Sequence, residues 1–119
     1  MGKKILLVED DKDWQKMIAA ALQEARYQVV AVSGAGEAVL QKDETNFSLI
    51  VLDLDLGGEN GLMLMKHLKR YHPETPIIIY TGMEPDEPAI RRMLDQGAHQ
   101  FLRKGTMGDL VAAVQSVIE

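Results

Sequence analysis

The chain has 119 residues, enough for one domain (1–119) with a real core and too few for two. Thirteen Lys and Arg stand against 18 Asp and Glu, a formal charge of −5, and no basic run exceeds a pair such as Arg91-Arg92 or Arg103-Lys104, which argues against a nucleic-acid surface. No cysteine is present, so disulfide and thiolate-metal chemistry are excluded, and the apolar run Ile5 to Val8 is too short for a signal h-region or a membrane span; a soluble, cytoplasmic protein is expected.

Ile5-Leu6-Leu7-Val8 is fully apolar without alternation, as in a parallel strand buried on both faces, and it ends in Glu9-Asp10-Asp11. From Asp11 or Asp13 to Ala25, Trp14, Met17, Ile18, Ala21, Leu22 and Ala25 recur at helical spacing, and Trp14 reads as a helix–sheet packing residue. Tyr27 to Val32 alternates more and suits an edge strand; Ser33 then caps a short helix from Gly34 to Leu40. Leu49-Ile50-Val51-Leu52 is the central strand, running into Asp53 and a turn-rich stretch, Leu54 to Gly61. Asn60 caps a helix to about Arg70 with Leu64, Met65 and Leu68 inside. Pro76 to Tyr80 is another buried strand opened by a proline, followed by Thr81-Gly82 and a loop, Met83 to Glu87. A helix from about Asp86 to Gln96 stops at Gly97, His99 to Leu102 is a short strand before Arg103-Lys104-Gly105, and Met107 to Ile118 closes as a helix. Alternating strands and helices predict an α/β, doubly wound (βα)5 sandwich with all strand C-termini on one rim.

That rim collects chemistry. Glu9 and Asp10 follow the first strand, Asp53 the third, Thr81 the fourth and Lys104 the fifth. Three neighbouring carboxylates need a positive charge among them, and oxygen ligands without His or Cys favour magnesium. A hydroxyl and an ammonium supply a donor and a charge for a transferring phosphoryl group, with Asp53 as the nucleophile that becomes an aspartyl phosphate. Taken singly, these residues also read as caps, a strand-end hydroxyl and a solvated lysine. The glycines at 57, 58 and 61 lack the nucleotide fingerprint and the lysine-serine ending of a P-loop.

In this order and spacing the residues resemble the receiver domain of two-component response regulators over essentially the whole chain. The resemblance rests on Glu9-Asp10, on Asp53 after Leu49 to Leu52, on Gly61, Thr81-Gly82 and Gly97-Ala98, and on Phe101 three residues before Lys104. It implies a flavodoxin-like, five-stranded parallel sheet of order 2-1-3-4-5. It implies that Asp53 takes a phosphoryl group from the phosphohistidine of a sensor histidine kinase or histidine phosphotransfer protein. Glu9, Asp10, Asp53 and the Asp55 backbone carbonyl would hold Mg2+. Thr81 and Phe101 would act as the switch, reshaping the surface of the fourth helix, fifth strand and fifth helix for an output domain, a target protein or a second copy of the chain. Asp55 and Met83 would flank the attacking water and tune dephosphorylation.

Three positions depart from that pattern. Gly57 and Gly105 stand where proline is usual, and Arg26 where glycine often ends the first helix. Gly57 is expected to loosen its loop, and Gly105 to turn the chain at positive φ behind a trans Lys104–Gly105 bond. Two rivals remain. Asp53-Leu54-Asp55 resembles the nucleophile-x-acid motif of haloacid-dehalogenase-like phosphohydrolases, although that family places it on the first strand. A receiver-like module could also bind partners without phosphorylation. A receiver accepts one phosphoryl group per chain and releases it slowly, rather than turning over substrate.

Overall fold

The computed structural model describes residues 2–41 and 46–119. Its main sheet comprises β1 (Lys4–Val8), β2 (Gln28–Val32), β3 (Phe47–Leu52), β4 (Ile77–Thr81) and β5 (Gln100–Arg103). All pairings are parallel, in the order β2-β1-β3-β4-β5. The helices are α1 (Lys12–Glu24), α2 (Ala35–Val39), α3 (Gly61–Tyr71), α4 (Glu87–Asp95) and α5 (Met107–Ile118).

Successive strand residues face opposite sides, and each side has its own core. Ile5, Leu7, Leu49, Val51, Ile78 and Tyr80 pack with Ile18 and Leu22 of α1 and Leu110 and Val114 of α5. Leu6, Val8, Ile50, Leu52, Ile77 and Ile79 pack with Leu64, Met65 and Leu68 of α3 and Met93 of α4. Burial on both faces is why β1, β3 and β4 carry no polar alternation. Edge strand β2 buries only Val32 fully, which accounts for its looser pattern.

Four helices begin on a side-chain cap. Asp11, Asn60, Asp86 and Thr106 accept hydrogen bonds from first-turn N–H groups of α1, α3, α4 and α5. Each such cap satisfies donors that a helix cannot pair internally, typically worth about 1 kcal/mol.

Several local expectations are corrected. Met17 is 45% exposed, because Ile18 and Leu22 already fill the inner stripe of α1. Ser33 does not cap α2: Gly34 is the cap residue and makes no side-chain bond, while the Ser33 N–H donates to Glu37 Oε1 and its Oγ accepts from Lys12 Nζ. The stretch after Asp53 is more than a turn. Asp55–Leu56 and Glu59–Asn60 pair antiparallel around Gly57 (φ 64°) and Gly58 (φ 94°), both at the positive φ of a two-residue I′ hairpin. Gly57 therefore closes the loop rather than loosening it, and proline, locked near −65°, could not occupy that conformation. The Lys104–Gly105 peptide is trans as expected, but Gly105 does not use positive φ. Its N–H instead donates to the Tyr80 hydroxyl at 3.1 Å, a bond proline could not make.

Candidate functional site

Parallel register decides which residues meet at the C-terminal rim. Val8 pairs with Leu52, and Leu52 with Ile79. Hydrogen bonding then runs one residue beyond the strands. Glu9 N–H donates to Val32 O at 3.0 Å, Asp53 N–H to Val8 O at 3.0 Å, and Lys104 N–H to Thr81 O at 2.8 Å. Glu9, Asp53 and Lys104 thus leave backbone that is held by the sheet. Gly61 presses the following segment close: a Cβ there would lie 2.6 Å from Leu54 Cα, so the start of α3 packs directly against the residue after Asp53.

Glu9 and Asp53 are 1% and 4% exposed, and Asp10 is half-buried. One carboxylate oxygen of each lies within 4.8 Å of the others. Lys104, in the loop directly after β5, reaches in with Nζ 2.8 Å from Glu9 Oε1 and 3.0 Å from Asp53 Oδ2. The Glu9 contact is an ion pair without hydrogen-bond geometry, so Oε1 has no hydrogen-bond partner among the described residues. The remaining oxygens take backbone donors at 3.1 Å, Asp11 N–H to Glu9 Oε2 and Asp55 N–H to Asp53 Oδ1.

Burial pushes the Glu9 carboxyl from 4.5 up to about 7; Lys104 pulls it down, the Asp53 charge pushes it further up, and the Asp11 N–H lowers it again. For Lys104, burial works against the charge, but Glu9 and Asp53 outweigh it and raise its pKa. One ammonium thus pairs with two members of a three-carboxylate cluster, the most buried of which is reluctant to ionise. An oxygen-only set of this kind fits a hard divalent cation, which would supply the missing positive charge.

These groups line an open cleft of about 590 Å³. Gly57 makes room in it, since a Cβ there would stand 3.0 Å from Asp10 Oδ2. The Asp55 carboxylate lines the same cleft but is exposed and outside the three-acid cluster. Thr81 is at the rim by position, yet its side chain is fully buried and its Oγ1 accepts from Met83 N–H at 3.3 Å. Phe101 is partly buried against the α3–α4 core, and Met83 is 50% exposed.

Sequence reasoning missed Trp14 as a site residue. It does pack on the sheet, edge-to-face with Tyr80 at 6.1 Å, but its ring also carries Lys104 Nζ 4.8 Å from the centroid and lines the cleft. The available signal was its place in the first turn of the helix that follows the acids, where a large side chain must lie over the rim.

A family model for the response regulator receiver domain matches residues 5–115. The chain belongs to that family. Regulatory protein VanRB of Enterococcus faecalis is 36% identical over 104 residues, covering 87% of this chain and 46% of that protein. Phosphate regulon transcriptional regulatory protein PhoB of Escherichia coli is 31% identical over 121 aligned positions, covering 99% of this chain and 52% of that protein. The chain therefore spans about half the length of these curated relatives. Among solved structures, a CheY-like receiver domain protein from Methanospirillum hungatei aligns with a TM-score of 0.87 at 25% identity, covering 98% of this chain and 93% of that one. The receiver assignment does not favour the phosphohydrolase reading, and neither does the exposed Asp55, which stands apart from the cluster. A phosphorylation-independent module is not favoured either: Glu9, Asp10, Asp53 and Lys104 are all retained and brought together.

No helix among the described residues is long and apolar enough to cross a membrane.

Proposed function

We propose that the chain works as one receiver unit that accepts a phosphoryl group on Asp53 from a phosphohistidine. The observation that carries this reading is the convergence of Glu9, Asp10, Asp53 and Lys104 on one cleft. An Asp53 carboxylate oxygen attacks phosphorus, the nitrogen–phosphorus bond breaks, and its electron pair returns to the histidine of a sensor kinase or phosphotransfer protein. Glu9, Asp10 and Asp53, with the Asp55 backbone carbonyl, would hold Mg2+, which neutralises charge on the phosphoryl oxygens and on the acids. Lys104 already touches Asp53 Oδ2 and moves only a short way to pair with a phosphoryl oxygen.

Thr81 is the residue that must move most. Its hydroxyl is engaged with Met83 N–H, so reaching a phosphoryl oxygen means breaking that bond and rotating about χ1. The vacated space lets Phe101 turn further inward, and the α4–β5–α5 surface changes for an output domain, a target protein or a second copy of the chain. Met83 and Asp55 then set how fast water reaches the aspartyl phosphate. Met83 obstructs that path without orienting water, whereas Asp55 can accept a hydrogen bond from it. A cytoplasmic setting follows from the proposed kinase partner.

The test is incubation with Mg2+ and acetyl phosphate. One hydroxylamine-labile phosphoryl group per chain is expected, and none in Asp53→Asn. Undiminished labelling of that variant would move the acceptor elsewhere, and steady turnover of a phosphomonoester would return the hydrolase reading.

A further inference from the structure

We propose that Trp14 is a positioning residue for Lys104, its indole face holding the ammonium against the acids and shielding it from water. This rests on the phosphoacceptor reading of Asp53, since the position it enforces is useful only to a group transferred there.

Lys104 is placed by three side chains from three separate elements. Glu9 follows β1 and lies 2.8 Å from Nζ; Asp53 follows β3 and lies 3.0 Å away; Trp14 stands on the first turn of α1 with its ring centroid 4.8 Å from Nζ. The two carboxylates pull the ammonium inward, and the ring covers it from another direction. Only 10% of the lysine side chain remains exposed, although it is borne by a loop at the mouth of an open cleft. A cation over an aromatic face is attracted by the ring quadrupole, and that attraction grows as water is excluded.

The ring is itself fixed. Tyr80, 1% exposed, meets it at 6.1 Å with the planes at 78°, an edge-to-face contact. The Tyr80 hydroxyl accepts from Gly105 N–H at 3.1 Å, so the aromatic that buttresses Trp14 also anchors the backbone directly after Lys104. Trp14 and Tyr80 thus grip the lysine from its ammonium end and its backbone end. The consequence is kinetic. Lys104 must leave the carboxylates for the phosphoryl oxygens as transfer proceeds, and a ring surface permits that slide because the cation–π attraction has no single acceptor atom to break from.

Two readouts test this. In the unphosphorylated protein, the Cε protons of Lys104 lie beside the indole face and should be shifted upfield by its ring current; the shift should vanish in Trp14→Leu. The second readout is the initial rate of labelling by acetyl phosphate with saturating Mg2+. Trp14→Leu should lower the maximal rate by about three- to tenfold with little change in the concentration of acetyl phosphate giving half-maximal rate, and Trp14→Phe should recover most of the loss because it restores a ring face. A normal rate in folded Trp14→Leu, a Trp14→Phe rate as low as that of Trp14→Leu, or Lys104 protons without an upfield shift in wild type would each overturn the proposal. If Trp14→Leu fails to fold, the wild-type proton shift and the Phe variant still decide. If wild type takes no label at all, the phosphoacceptor reading fails instead, while the ring-current shift still reports whether Trp14 holds the lysine.

Discussion

Leu52 and Asp53 are adjacent and almost equally buried, at 0% and 4% exposure, yet they sit in opposite kinds of interior. Leu52 belongs to an apolar core whose neighbours, Val8, Ile50, Ile79 and Leu64, ask for nothing but packing. Asp53 lies one residue further, in a pocket where two buried carboxylates share one ammonium beside a half-buried third acid. Burial of the first kind holds the sheet together; each such aliphatic side chain contributes about 1.5 to 3 kcal/mol. Burial of the second kind opposes folding, as the upward push on Glu9 shows. The sheet core carries the cost of a rim that is kept short of positive charge, and under the proposed function that shortage is what would draw in a cation or a substrate.

The apolar core, and not the rim, should hold this end of β3. Leu52→Ala removes a fully buried side chain between two sheet neighbours and should destabilise the protein by about 2 to 5 kcal/mol in urea unfolding. A loss no larger than that of a surface substitution would mean that the rim, and not the core, holds this end of β3.

The rim should respond with the opposite sign. The Glu9 carboxyl is held at about 7 against 4.5, so between those values the folded protein keeps a proton that the unfolded chain releases. Folding stability contributed by this group is therefore complete below pH 4.5 and lost as pH rises through 7. Glu9→Gln, which cannot ionise, should be more stable than wild type at pH 8 without metal, by on the order of 2 kcal/mol, with the gap closing towards pH 4.5. Urea unfolding with a chelator at the two pH values measures it; a variant less stable than wild type at pH 8 would show that the Lys104 contact outweighs the burial of charge.

Core and rim also differed in legibility. The uninterrupted apolar runs ending in Val8, Leu52 and Tyr80 announce two-sided burial, so the strands and the acids that follow them could be placed from sequence. Asn60 was equally plain as a cap, and the helix starts read at Asp11 or Asp13 and at about Asp86 fell within two residues of the caps Asp11 and Asp86. Side-chain direction was not. Thr81 occupies the expected rim position but turns its hydroxyl to Met83, Asp55 points out, and Trp14 reaches across to a lysine 90 residues later in the chain. Such directions depend on which strands adjoin and how each rotamer packs, and neither periodicity nor motif spacing encodes them. Gly105 shows the same limit. A local rule suggested positive φ, whereas a tertiary bond from Tyr80 makes it unnecessary.

If the acids do hold Mg2+, protons should compete for them. Only ionised Glu9 is a ligand, so affinity should level off above pH 7 and fall below it, approaching about tenfold per pH unit towards pH 6, as one proton is released on binding. Calorimetry between pH 6 and 8 reads this directly. A flat profile across that range would place the ion on Asp10 and Asp53 without Glu9.

The smallest effect comes from a place where two helix ends can be set side by side. After α4, Gly97 N–H bonds to Leu94 O and Ala98 N–H to Met93 O, with Gly97 at φ 125°. After α1, Arg26 N–H bonds to Gln23 O and Tyr27 N–H to Leu22 O, the same pair of closures, with Arg26 at φ 76°. An L side chain at left-handed φ costs about 1 to 2 kcal/mol, and glycine avoids that strain while losing more backbone entropy on folding. Arg26→Gly should therefore stabilise the protein by a net of about 0.5 to 1 kcal/mol, seen as a higher urea midpoint with an unchanged slope. Gly97→Ala should do the reverse and by more, because its Cβ would also come within 3.1 Å of Lys69 Cγ. If Arg26→Gly were neutral or destabilising, the arginine side chain would have to supply contacts that offset its backbone strain, and the end of α1 would be held by something other than the two hydrogen bonds it shares with the end of α4.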